Sequence, residues 1–205
     1  MENPLPNALK HTTSNRNCIA NIFKNVEFTN DEIDYIELNL ERVELSKGTH
    51  LLKIGNIVEN QYYVLSGCLR TYFTDPSAKE HTIQFAIHDW WISDYTGYFT
   101  SSNATLEIET LQDSVLIRMS KTTMDDLCMK IPKLETYFRK KMEGAFAAFQ
   151  KRILSNLSET AAQRYVNFVT QYPIIEQNIK NYHIASYLGI TTESLSRIRK
   201  ELSQH

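Results

Sequence analysis

From about residue 42 to residue 120 apolar side chains recur at every second position, and on either side of that stretch they recur every three to four. The chain therefore reads as helix, then strands, then helix. In the middle region Leu51-Leu52-Lys53-Ile54, Gln61–Leu65, Leu69–Phe73, His81–Phe85 and Ser114–Ile117 are rich in β-branched and aromatic residues. Turn residues at Gly48, Gly55, Gly67, Asp75-Pro76 and Gln112-Asp113 punctuate them. Thr105–Leu111 alternates without a break, as a strand with one wetted face does. Short strands at this spacing predict an antiparallel sandwich, barrel or jelly roll.

The flanks carry helix signals. Thr29-Asn30-Asp31-Glu32 has the form of a capping box, and Ile33, Ile36 and Leu40 follow on one face. After Ser120 the stripe Leu134, Phe138, Met142, Ala145, Phe149, Ile153 predicts a helix of about 20 residues and about 30 Å. A helix of that length outruns a small β-roll, so the stripe is expected to form a seam between two copies; packing within one chain is the alternative. Ser158 is the expected cap of a further helix carrying Ala162, Tyr165, Val166 and Val169, ended by Pro173.

The last 25 residues hold the sharpest pattern. Ile184, Leu188, Ile190, Leu195 and Ile198 are spaced to fill the space between two short helices, Ala185 permits their close crossing, and Gly189 suits a turn at positive φ. This predicts a helix-turn-helix. Its second helix starts near Thr191, and the candidate DNA-reading residues are Thr191, Thr192, Glu193, Ser194, Ser196, Arg197 and Lys200. Acceptors and donors for base edges come first along that helix, and cations for phosphates follow. An ordinary helical hairpin with a solvated face is the alternative.

Charge adds to this. Residues 151–205 carry seven basic and four acidic residues, a net +3, so residues 1–150 carry −5 within a total of −2. Positive charge gathered at one end suits phosphate contacts. Hydrophobic residues at 42% and charged residues at 22% exclude a disordered, collagenous or purely coiled-coil chain. No apolar run reaches a membrane span, and the opening MENPLPNALKHTTSNRN lacks the apolar core of a signal peptide, so a cytoplasmic protein with no membrane partner is expected. Cys18, Cys68 and Cys128 lie 50 and 60 residues apart, which fits buried free thiols rather than a disulfide framework or a metal site.

The order of β-roll, long helix, short helix and helix-turn-helix, with Ile184-Ala-Ser-Tyr-Leu-Gly-Ile-Thr-Thr-Glu-Ser-Leu-Ser-Arg-Ile198 as its most specific part, resembles the Crp/Fnr family of bacterial transcription regulators. The resemblance spans about residues 20–204. It implies an α+β fold: an antiparallel β-roll of the jelly-roll, cyclic-nucleotide-binding type over 1–132, a dimerisation helix over 133–155, and a winged-helix-like helix-turn-helix domain over 156–205. It further implies a homodimer on a pseudo-palindromic duplex, with RNA polymerase as a further partner and no enzymatic activity. Glu193 and Arg197 match the family's recognition helix, whereas Thr192 stands where a first arginine is usual.

The resemblance also locates an effector pocket, drawn from Arg70, Trp90, Trp91, Asp94, Tyr95, Ala104 and Thr105. Family members that bind cyclic nucleotide use a Gly-Glu pair at a short helix and an Arg-Ser pair on the next strand. Here Asp94 replaces the glutamate and Ala104 falls at about the arginine's position. Residues 80–117 hold no lysine or arginine but six acids, so cyclic AMP is disfavoured and no cofactor is expected. Arg70 and Arg118 are the candidate substitute cations. The family's iron–sulfur version uses clustered N-terminal cysteines, and only Cys18 lies there. Haem remains an open alternative, with His50, His81 and His88 in the strand region. A second class of reading is a small-molecule-binding or cupin-like metal protein whose helical tail makes protein contacts; it calls for an HxH pair that the sequence lacks.

Overall fold

A computed structural model describes residues 16–204. Residues 1–15, read above for a signal peptide, lie outside them. Two helices, α1 (Arg16–Ile22) and α2 (Asn30–Asn39), precede strands β1 (Glu41–Leu45), β2 (His50–Leu52), β3 (Asn60–Ser66), β4 (Leu69–Thr74), β5 (Glu80–Ala86) and β6 (Trp91–Ile92). Helix α3 (Tyr95–Thr100), β7 (Glu107–Thr110) and β8 (Ser114–Ser120) follow. The chain then continues as α4 (Lys121–Lys130), α5 (Lys133–Ser158), α6 (Ala161–Gln171), α7 (Pro173–Asn178), α8 (Asn181–Leu188) and α9 (Thr192–Leu202). Among the described residues no strand follows Ser120.

The strands form two four-stranded sheets, ordered β1-β8-β3-β6 and β2-β7-β4-β5. Period-two patterning explains how the first is buried on both faces. Along β3, Tyr62 and Val64 enter one apolar cluster while Tyr63 enters the other. Tyr62 pairs across β8 with Arg118, and Tyr63 with Ile117. One cluster joins Val43, Leu69, Ile92, Ile108 and Leu116 in the roll, and the other packs α1, α2, α4 and the start of α5 on the outer face of the first sheet. Trp91 sits in the second cluster with its ring 5.6 Å from Phe138, and its indole N–H donates to the Tyr137 hydroxyl at 3.2 Å.

The capping box at α2 is complete: the Glu32 amide donates to Thr29 Oγ1, and the Thr29 amide donates to the Glu32 carboxylate at 2.7 Å. The cap of α6 differs from expectation. Thr160, not Ser158, caps it through a reciprocal box with Gln163, while the Ser158 hydroxyl donates back to the Leu154 carbonyl and stays inside α5. A reciprocal box satisfies two orphan donors, which a lone hydroxyl cannot match. Helix α5 consequently runs to 26 residues, and Pro173 opens α7 at its first turn instead of merely ending α6.

Two compact units emerge. One comprises the chain up to Thr71 with Phe85–Lys140; the other comprises the hairpin segment Tyr72–Gln84 with Lys141–His205. The predicted seam on α5 divides accordingly. Leu134 and Phe138 are buried in the first unit's own core, which leaves them no surface for a partner. Met142 and Ala145 are half-buried, while Phe149 and Ile153 are exposed, together with Phe146, Leu154 and Leu157, which the stripe did not include.

Candidate nucleic-acid interface

Of the apolar set read from the sequence for α8 and α9, Ile184, Leu188, Leu195 and Ile198 are buried, as is Ala185 at the crossing, while Ile190 is half-buried. Between them Gly189 takes φ +68°, and the Ile190 amide reaches back to the Ala185 carbonyl at 3.0 Å, the six-to-one bond that closes a helix C-terminus. Thr191 caps α9 by accepting the Ser194 amide at 3.2 Å, and its hydroxyl also donates to Ser194 Oγ. Thr191 and Ser194 are thus turned toward the cap, and Ser194 is half-buried.

The outward face is made by Thr192, Glu193, Ser196, Arg197 and Lys200. Glu193, Ser196, Arg197 and Lys200 are exposed and Thr192 is half-buried. The Glu193 carboxyl is held below the usual carboxylate range by its own backbone amide and by the hydroxyls of Thr191 and Thr192. It therefore remains an acceptor at neutral pH, at the positive end of the helix dipole. Arg197 and Lys200 make no side-chain ion pair among the described residues.

Three of the seven basic residues in this stretch point inward. Arg164 donates to the Leu188 carbonyl through Nε and Nη2 at 3.3 and 3.2 Å and to the Glu159 carbonyl at 2.7 Å. Arg199 reaches Glu176, Tyr165 and Asn181. Arg152 donates to the carbonyls of Thr82, Ile83 and Tyr187, and its guanidinium lies 4.0 Å from the centre of the Tyr187 ring. Burial pushes the Arg152 pKa down from the usual arginine range. Beside it Ser186 Oγ accepts the Thr82 amide and donates to the Glu80 carbonyl, both at 2.8 Å. The hydroxyl and the guanidinium thereby complete the open edge of β5, the outermost strand of its sheet. Positive charge available to a nucleic acid is therefore concentrated at Arg197, Lys200, Lys151 and Lys180, less than the sequence tally suggests.

The residues read as an effector pocket separate. Trp91 is core on the outer face of its sheet, whereas Trp90 packs against the roll interior. Arg70 is 1% exposed, and its Nε and Nη2 both lie 2.6 Å from one oxygen of Glu109. Arg118 pairs with Glu41. The Asp94 carboxylate, also 1% exposed, accepts the Gly97 amide at 3.3 Å through one oxygen. Through the other it accepts the Thr105 amide at 2.8 Å, the Thr105 hydroxyl at 3.1 Å and the Leu106 amide at 3.1 Å. Ala104 is buried beside this turn and Thr105 is exposed. Tyr95 stacks on Phe99 at 5.4 Å, and its buried hydroxyl has no hydrogen-bond partner among the described residues. Burial pushes the Tyr95 phenol far above its usual range. Among the described residues no group of three or more His, Cys, Asp or Glu side chains is arranged to hold a metal.

The model of the cyclic nucleotide-binding domain matches residues 42–131. The fumarate and nitrate reduction regulatory protein of Yersinia pestis is 25% identical over 183 residues, covering 82% of this chain and 71% of that protein. FixK2 of Bradyrhizobium japonicum superposes with a TM-score of 0.70 at 16% identity, over 80% of this chain and 85% of its own. A protein of Eubacterium rectale assigned to the Crp/Fnr family superposes at 0.67 with 20% identity, over 86% and 84%. The chain is thus similar to a cyclic nucleotide-binding domain over residues 42–131 and, over most of its length, to fumarate and nitrate reduction regulatory proteins. Asp94 and the turn Ala104-Thr105-Leu106 belong to the stretch that the sequence marked as the candidate effector pocket. Here the chain's own carboxylate takes the amides there. The sequence missed the inward arginines Arg152, Arg164 and Arg199, because a guanidinium reaching a backbone carbonyl leaves no periodic signal.

Proposed function

We propose that this chain is a Crp/Fnr-type, homodimeric, sequence-specific DNA-binding transcription regulator whose β-roll takes no cyclic nucleotide. The carrying observation is the rigidly capped α9, which presents Glu193 and Arg197 to solvent one turn apart on a helix whose opposite side is buried. A carboxylate accepts from a cytosine amine, and an arginine donates to guanine or phosphate. The exposed Phe146, Phe149, Ile153 and Leu157 on α5 supply a seam for a second copy, which would present two recognition helices to successive major grooves about 34 Å apart. Relatives of the chain are transcription regulators, which favours this reading over an enzymatic one.

The sensor reading rests on Asp94. A bound cyclic phosphate needs donors to replace its hydration, and the amides of Thr105 and Leu106 are already taken by a carboxylate that would repel it. The same holds for cyclic di-GMP, to which the structurally similar regulator CLP of Xanthomonas campestris responds.

Selection of bound sequences from random duplex DNA tests the reading. A recovered pseudo-palindrome bound by two chains supports it; recovery of no preferred sequence overturns it.

A further inference from the structure

We propose that Arg199 is a positioning residue that fixes the rotation of α9 about its axis and so decides base preference without touching DNA. This inference rests on α9 being the DNA reader. Arg199 lies on the recognition helix two residues beyond Arg197, yet it turns to the protein side. Its Nε donates to the Tyr165 hydroxyl at 3.0 Å, its Nη1 donates to the Asn181 side-chain oxygen at 2.6 Å, and its Nη2 lies 2.9 Å from a Glu176 carboxylate oxygen. Tyr165 donates in turn to the same Glu176 oxygen at 3.0 Å. The guanidinium also stands 5.6 Å from the centre of the Tyr165 ring. One side chain thus joins α9 to α6, α7 and the first residue of α8, at 26% side-chain exposure against 22% for Glu176.

The apolar contacts of Leu195 and Ile198 hold α9 down, but such contacts are non-directional and tolerate rolling. A planar fork with separate acceptors on three helices does not. With side chains ending about 5–6 Å from a helix axis, a roll of roughly 20° moves their tips by about 2 Å, enough to break a base-edge hydrogen bond. Glu193 and Arg197 ride on the same rigid helix and would lose register together.

The test compares Arg199→Met, Arg199→Lys, Glu176→Gln and Arg197→Met in the full chain, each measured on the operator recovered by selection and on random duplex across a salt series. Arg199→Met is expected to cut the ratio of operator to random binding by roughly tenfold, the worth of about one well-formed base contact, with the salt slope unchanged. Glu176→Gln, on a helix outside the reader, should lower the ratio in the same sense, and Arg199→Lys should restore part of it. Arg197→Met is the contrast: it should lower the salt slope by about one if it meets a phosphate. A slope that falls by about one in Arg199→Met makes Arg199 a phosphate contact and overturns the proposal. An unchanged ratio, or equal proportional loss on both duplexes as from a smaller folded fraction, overturns it too. A parent chain that selects no sequence overturns the reading of α9 itself, an outcome visible before any variant is made.

Discussion

The Asp94 carboxylate and the Leu106 amide meet at 3.1 Å, so an anion belonging to the protein occupies a turn of backbone donors. Removing it leaves the buried Gly97 amide and the partly buried Thr105 and Leu106 amides short of an acceptor. Asp94→Ala should lose about 2–4 kcal/mol of stability, since each stranded donor costs about 1–3 kcal/mol and water recovers some of it. Chemical denaturation measures this. A loss under about 0.5 kcal/mol would mean the turn is held by other contacts.

Cyclic AMP, cyclic GMP and cyclic di-GMP should give no binding heat with the parent chain at physiological concentration. Arg70 and Arg118, the candidate cations, are committed to Glu109 and Glu41. Calorimetry showing low-micromolar affinity, abolished by Arg70→Ala or Arg118→Ala, would contradict this and identify the cation that leaves its carboxylate.

Arg197→Ala should weaken operator binding by about 1–3 kcal/mol. Glu193→Ala should instead relax preference at one symmetric position of the operator, because its carboxylate stays ionised and reads an amine donor. Parallel site selection with each variant separates the two effects. Unaltered preference in both would remove the outward face of α9 as the reader.

A charge placed on the exposed stretch of α5 should separate the copies. Phe149→Glu and Ile153→Glu are expected to give a monomer by sedimentation and to lose cooperative occupancy of paired half-sites. Phe138→Glu should unfold the first unit instead, since Phe138 is 8% exposed inside that unit's core. A parent chain that is monomeric on and off DNA would refute the seam.

Burial pushes the Cys68 thiol up to about 12. A raised pKa leaves the full stability contribution in place below the ordinary thiol value of 9.0 and removes it as pH climbs toward about 12. Cys68 should therefore resist alkylation at pH 8 in the folded chain and react only after denaturation, as mass spectrometry of labelled peptides reports. Fast labelling of Cys68 under native conditions would show local opening at β4.

The helix-turn-helix was legible because every requirement there is local: a small residue at the crossing, a glycine at φ +68°, a threonine cap and apolar spacers, four of which are buried. The capping box at Thr29 and Glu32 was legible for the same reason. The exposed apolar face of α5 was only half legible. Periodicity marks which residues share a face, but Leu134 and Phe138 are covered by α1 and by Trp91, elements far away in sequence. The aromatic pair Trp90-Trp91 read as one lining, yet Trp91 opens β6 and Trp90 lies in the turn before it, and the two rings entered different clusters. Asp94 was noted only as replacing a glutamate; besides Gly97 its partners lie 11 and 12 residues on, and three of its four donors are backbone amides, which carry no side-chain signature.

The hydroxyl of Ser186 and the guanidinium of Arg152 stand where a further strand beside β5 would otherwise bond. A chain cut before α8, such as a proteolytic fragment or a stalled nascent product, would keep the strand and Arg152 on α5 but lose Ser186. The Thr82 amide and the Glu80 carbonyl would then be offered to any passing β-segment, including the same strand of another fragment. Helix α8 thus covers part of an exposed sheet edge, and fragments lacking it should gather into oligomers through β5.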